Sequence, residues 1–154
     1  MRKFAAWARC AAWMVFIFMM SAMPGDVSGE QSGFVTEMIE KALTFVFGAQ
    51  TAGGWISVDA LEMVVRKCAH MGEYAVLFWL WAHALSVSGA KHPARTALIV
   101  CAAYAASDEF HQCFSDGRGP SPVDVMIDTV GAAIALLLRA AALHIRERGE
   151  GRKP

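Results

Sequence analysis

The hydrophobic positions fall into four long stretches separated by polar connections. A bilayer core about 30 Å thick needs a helix of about 20 mostly apolar residues, and each stretch approaches that length. The first covers residues 4–23 and is broken only by Arg9. The second, 69–87, has Trp79, Trp81 and a Leu-rich middle, together with His70, Glu73 and His83. The third, 94–114, is apolar as far as Ala106 and then abruptly polar. The fourth, 122–145, opens with Asp124 and Asp128 and runs into an unbroken apolar segment from Ile134 to Leu138. Gly and Pro mark the connections at 88–93 and 115–121 as turns between antiparallel neighbours. The pattern predicts an all-α, polytopic membrane protein: four transmembrane helices in an antiparallel bundle, forming one domain over residues 1–154.

The connection over residues 24–56 is long and carries a pattern of its own. Phe34, Val35, Met38, Ile39, Leu43, Val46 and Phe47 share one side of a helix, with Glu37, Glu40, Lys41 and Thr44 opposite and Gly48 as a stop. About 15 residues cannot span a bilayer, so this segment is expected to be an extracytoplasmic amphipathic helix. A lid over the helix ends is favoured above a helix lying on the outer leaflet. Ser57 is placed to cap the second long helix. From there to Val87 the helix would run about 46 Å, so its first turns should project beyond the bilayer.

Composition and charge sharpen this picture. The chain is 56% hydrophobic and 18% charged, which excludes a disordered chain. Fourteen Lys and Arg balance fourteen Asp and Glu, so net charge supplies no attraction to phosphate and a nucleic-acid partner is not expected. The sorting of the bases matters more than their sum. With the N-terminus inside, four bases lie outside, Lys41, Arg66, Lys67 and Arg118, leaving ten of the fourteen inside. That bias predicts a multi-pass membrane protein with both termini cytoplasmic. The first helix also resembles a cleavable signal peptide ending near Ser21 and Ala22, but Met23 is a poor cleavage residue, and an uncleaved helix is favoured. Cys10, Cys68, Cys101 and Cys113 have no paired spacing and read as small core residues.

The most informative residues are ionisable groups inside the apolar stretches. On the second helix Arg66, His70, Glu73 and Tyr74 share one face; on the third, Asp108, His111 and Gln112 do, with Glu109 about 100° away; on the fourth, Asp124 and Asp128 are one turn apart. Counted from the cytoplasmic helix ends, His70, Glu73, Asp108, His111, Asp124 and Asp128 lie about 17–26 Å deep. Three helices therefore deliver them to one slab on the outer-leaflet side. Facing lipid they would together cost on the order of 10 kcal/mol, so they are expected to face each other, with Arg66, Lys67 and Arg118 as countercharges. Gly131 and Ala135 should let the fourth helix approach closely. A polar pair that merely fixes register needs fewer groups, so the layer is read as a functional site. His83, His92 and His144 lie elsewhere and are read as incidental.

At these residues the chain resembles the VanZ-like family of small bacterial membrane proteins. The matching pieces are Arg66-Lys67-Cys68-Ala69-His70 with Glu73-Tyr74, Asp108-Glu109-Phe110-His111-Gln112, Gly117-Arg118, and Asp124-Val125-Met126-Ile127-Asp128-Thr129 with Gly131-Ala132, a core over residues 66–138. Many relatives carry Asn where this chain has Asp128. The resemblance implies a cell-envelope role in tolerance of the glycopeptide antibiotic teicoplanin. Three functions compete: a site for a membrane lipid or an outer-leaflet lipid-linked or glycopeptide ligand; an intramembrane enzyme; and a transporter, for which four helices offer little room. In the enzyme, His70, Glu73, Asp108, His111, Asp124 and Asp128 would hold a divalent metal or supply acid and base, although their spacing matches no recognised metal motif.

Overall fold

The computed structural model describes residues 1–22, 33–41, 45, 57–112 and 121–150. The fold is all-α: α1 (Arg2–Ser21), α2 (33–41), α3 (Val58–Ser88), α4 (Pro93–Gln112) and α5 (Pro122–Glu150). The backbone hydrogen bonds explain where the long helices begin and end. Ser57 caps α3, its hydroxyl oxygen accepting from the Ala60 amide at 3.3 Å. Gly89, at φ 84°, closes the same helix, with its own amide donating to Ser86 and that of Ala90 to Leu85. Only glycine adopts that left-handed stop without strain. Ser121 caps α5 by accepting from the Asp124 amide, and Pro122 takes the first helical position, where no amide donor is needed. The fourth helix runs to Glu150, past the expected end at Ile145. Charged residues in its last turns hold no stop signal, so nothing breaks it there.

The central helix is α3, which packs on α1, α4 and α5, while α1 meets α4 mainly through a few long side chains. The core is built on Tyr74, Leu77, Phe78 and Ala82 of α3 against Ala97, Cys101 and Ala105 of α4 and Ala132 and Ala135 of α5. Large side chains from one helix therefore fill space left by small ones on two others. Cys10, Cys68 and Cys101 are free thiols; Cys113, Arg118 and the rest of 113–120 lie outside the described residues.

The first helix is an integral part of this core. Ala6, Cys10, Ile17 and Ser21 are buried, and hydrogen bonds fix the helix along its length. Trp7 donates to the Ser88 hydroxyl (3.1 Å), Trp13 to the Glu73 carbonyl (2.9 Å), Tyr104 to the Met14 carbonyl (2.6 Å), and Gln112 to the Ser21 hydroxyl (2.8 Å). The last three of these bonds are buried or partly buried and satisfy donors that would otherwise be costly to bury.

Two helices, α1 and residues 122–149 of α5, are long and apolar enough to cross a membrane. Only 22% of each apolar window is buried in the protein, leaving the remainder outward. The other two long helices give up apolar length to the polar residues near the start of α3 and the end of α4. In α2, Phe34, Val35 and Met38 face outward, as does Phe45 beyond it, whereas Ile39 is half-buried and Thr36 is buried. Leu43, Val46, Phe47 and Gly48 lie outside the described residues.

Candidate functional site

The polar layer is assembled around a close approach of α5 to α3. A Cβ built on Gly131 would lie 2.8 Å from Met71 Cα and 2.9 Å from its carbonyl carbon, so no side chain fits there. Asp128 lies one turn before Gly131 and His70 lies next to Met71. The contact therefore brings Asp128 up to His70, whose Nδ1 is 4.0 Å from Asp128 Oδ1 and 3.8 Å from Glu73 Oε2. These separations allow electrostatic attraction but are too long for direct hydrogen bonds.

Asp128 is the centre of the cluster. Its side chain is 3% exposed, and Oδ1 accepts no hydrogen bond among the described residues. Asp108, Glu109, Asp124 and Glu73 all act on it electrostatically. Carboxylates from all three helices thus share one region, as the depth count predicts. Tyr74, fully buried beneath them, has its ring 6.3 Å from that of Tyr104 and its hydroxyl within reach of the Asp108 and Asp128 charges. That hydroxyl also has no hydrogen-bond partner among the described residues. Buried polar atoms are ordinarily satisfied; away from the cluster, the Thr36 hydroxyl and the Trp81 indole N–H are likewise without a hydrogen-bond partner among the described residues.

Toward the helix ends the groups have assigned partners. Lys67 forms an ion pair with Asp124, both side chains about three-tenths exposed. Asp124 also lies in the first turn of α5, where a negative charge meets the positive end of the helix dipole. Glu109 is buried and accepts from the Ser121 amide at 2.8 Å, tying α4 to the start of α5. Arg66 is half-buried and forms no ion pair among the described residues. Arg118 lies outside them.

Two expected members turn toward α1 instead. Gln112 is buried and bonded to Ser21, and the His111 ring meets Phe18 edge-on at 4.2 Å. His111 Nδ1 is buried with no hydrogen-bond partner among the described residues. The site as built therefore comprises His70, Glu73, Asp108 and Asp128, with Tyr74 below, Lys67–Asp124 and Glu109 at its edge, and His111 and Gln112 as its seam with α1. No group of three or more His, Cys, Asp or Glu side chains among the described residues is arranged to hold a metal ion.

The sequence matches VanZ/LLP1 over residues 6–143. The chain belongs to that family. The VanZ/LLP1 match takes in α1 as well as the 66–138 segment that carries the motifs, in keeping with the way α1 is bonded into the core. No curated protein and no solved structure matches the chain. Within the VanZ/LLP1 segment, Ser21 and Ser121 hold positions around the site that their place in the sequence does not suggest, whereas Tyr74 is already marked by its position on the His70 face.

Proposed function

We propose that this VanZ/LLP1 protein is a four-span protein of the bacterial cell envelope with both termini in the cytoplasm. In this reading its polar layer, on the outer-leaflet side, binds a cation-bearing polar group of a lipid-linked or glycopeptide ligand. Binding there would contribute low-level tolerance of teicoplanin. The membrane part is supported by the outward apolar faces of α1 and α5 and by the sorting of ten bases to one side.

The observation that carries the binding reading is the buried Asp128. It sits among four other carboxylates, with one oxygen unpartnered among the described residues and a buried, unpartnered Tyr74 hydroxyl nearby. A register-fixing network would satisfy its own atoms, since an unsatisfied buried acceptor costs about 1–3 kcal/mol. A site dominated by acceptors suits a ligand that brings donors and positive charge, such as an ammonium group. The same carboxylates could supply acid and base to an enzyme; the unpartnered acceptors are what favour binding. Teicoplanin tolerance of a sensitive host, compared between the native protein and variants of the cluster at equal membrane level, tests this function.

A further inference from the structure

A second polar feature lies at the opposite end of the molecule, where α1 and α3 diverge. Met1, Arg2, Ala5 and Arg9 of the first turns face His83 and Val87 across a cavity of about 500 Å³. Arg2, Ala5 and Arg9 share one face of α1, and His83 and Val87 one face of α3. The floor is apolar and the rim carries two guanidinium groups and an imidazole. No carboxylate lines it. Neither Arg2 nor Arg9 forms an ion pair among the described residues.

The level of this cavity is fixed by aromatic residues. Trp7 stacks edge-on with Trp81 at 5.1 Å and donates to Ser88, the last residue of α3. Tryptophans that pair an apolar body with a satisfied N–H collect at membrane–water boundaries. Arg2 then lies about 7 Å outside that level and Arg9 about 3 Å inside it. Arg9 is thus a charge within an apolar span, exposed and without an acidic partner from the described chain. An Arg so placed is costly unless its side chain reaches an anion. At that depth the available anion is the phosphate of a lipid headgroup.

We propose that the cavity between α1 and α3 binds the phosphate of an anionic phospholipid in the cytoplasmic leaflet. Arg2 and Arg9 take the phosphate oxygens, His83 offers a further hydrogen bond, and Ala5 and Val87 bed the first acyl methylenes. Guanidinium groups match phosphate in shape and charge, and basic pockets between helices on the cytoplasmic side are suited to such headgroups. The proposal rests on the membrane reading above but not on the polar layer at the other end.

The test uses the full chain, purified in a neutral detergent and offered equal amounts of phosphatidylglycerol and phosphatidylcholine. Lipid retained per chain is read by native mass spectrometry. The native protein should keep one phosphatidylglycerol in preference to phosphatidylcholine. With two charges removed, R2Q/R9Q should need about thirtyfold more of that lipid for equal occupancy. R2K/R9K should restore much of the preference, and K91Q/R95Q, which removes two bases outside the cavity, should leave it intact. Thermal unfolding without lipid should match between native and R2Q/R9Q, since both arginines are exposed. Equal retention by R2Q/R9Q, or equal loss in K91Q/R95Q, would overturn the site. Displacement of the lipid by millimolar inorganic phosphate, with the same Arg dependence, would assign it to free phosphate and overturn the lipid reading. Tolerance of teicoplanin is a separate readout, so failure there leaves this result standing.

Discussion

Gly131 of α5 lies against the backbone of Met71 in α3, and that contact sets how near Asp128 comes to His70. Adding a methyl group must push the two helices apart, and overpacking of this kind costs about 1–3 kcal/mol. Gly72, next along α3, has no atom within 4 Å of its would-be Cβ. Gly131→Ala should therefore lower the unfolding temperature in detergent, whereas Gly72→Ala should hold or raise it through better helix propensity. Equal effects from both would mean that Gly131 is not a contact point.

The pair between Lys67 and Asp124 links α3 to the start of α5. Both ends are partly exposed, so its worth should fall between about 1 kcal/mol for a surface pair and about 3 kcal/mol for a buried one. A double-mutant cycle with Lys67→Met and Asp124→Asn, followed by thermal unfolding, should give a coupling in that range. Additive losses would show the two side chains acting independently.

Retention of α1 is the next expectation. Cleavage after Ala22 would strip the partners of Tyr104 and Gln112 and expose the core face that covers Ile17. Intact mass of C-terminally tagged protein extracted from membranes should include residues 2–22. A mass lacking that segment would show that α1 serves only as a leader.

Topology can be read from exposed positions. In a variant without the native cysteines, Val123→Cys should react with an impermeant thiol reagent on whole cells. Lys91→Cys should react only after permeabilisation. Val123 is a better probe than its neighbour Ser121, whose hydroxyl caps α5 and whose amide is bonded to Glu109. Reversed labelling would put the polar layer on the cytoplasmic side.

Much of this arrangement was legible in the sequence. The existence of the four long helices follows from apolar length, the starts of α3, α4 and α5 are marked by Ser57, Pro93 and Pro122, and Ser57 and Gly131 act as their chemistry suggests. The common depth of His70, Asp108 and Asp128 also follows, because helical rise converts residue number into height. Rotation of each helix about its axis does not, since periodicity shows which residues share a face but not which neighbour that face meets. His111 and Gln112 share a face with Asp108 yet turn to Phe18 and Ser21, and of the candidate bases among the described residues, Arg66 and Lys67, it is Lys67 that pairs with Asp124. The outward face of α2 and the meeting of His83 with Arg2 and Arg9 were hidden for the same reason.

If the polar layer binds a ligand and is not mere packing, His70 is the residue to change, because it faces Glu73 and Asp128 together. Glutamine keeps a donor and an acceptor but lacks the imidazole ring that sets Nδ1 between those two carboxylates. The measurement is teicoplanin tolerance of a sensitive host, with membrane level of the protein followed in parallel. The native chain should raise tolerance above that of the empty host; His70→Gln should accumulate normally and lose the gain, while His144→Gln, at the exposed end of α5, should keep it. Full protection by His70→Gln, or no protection by the native chain, would contradict the account.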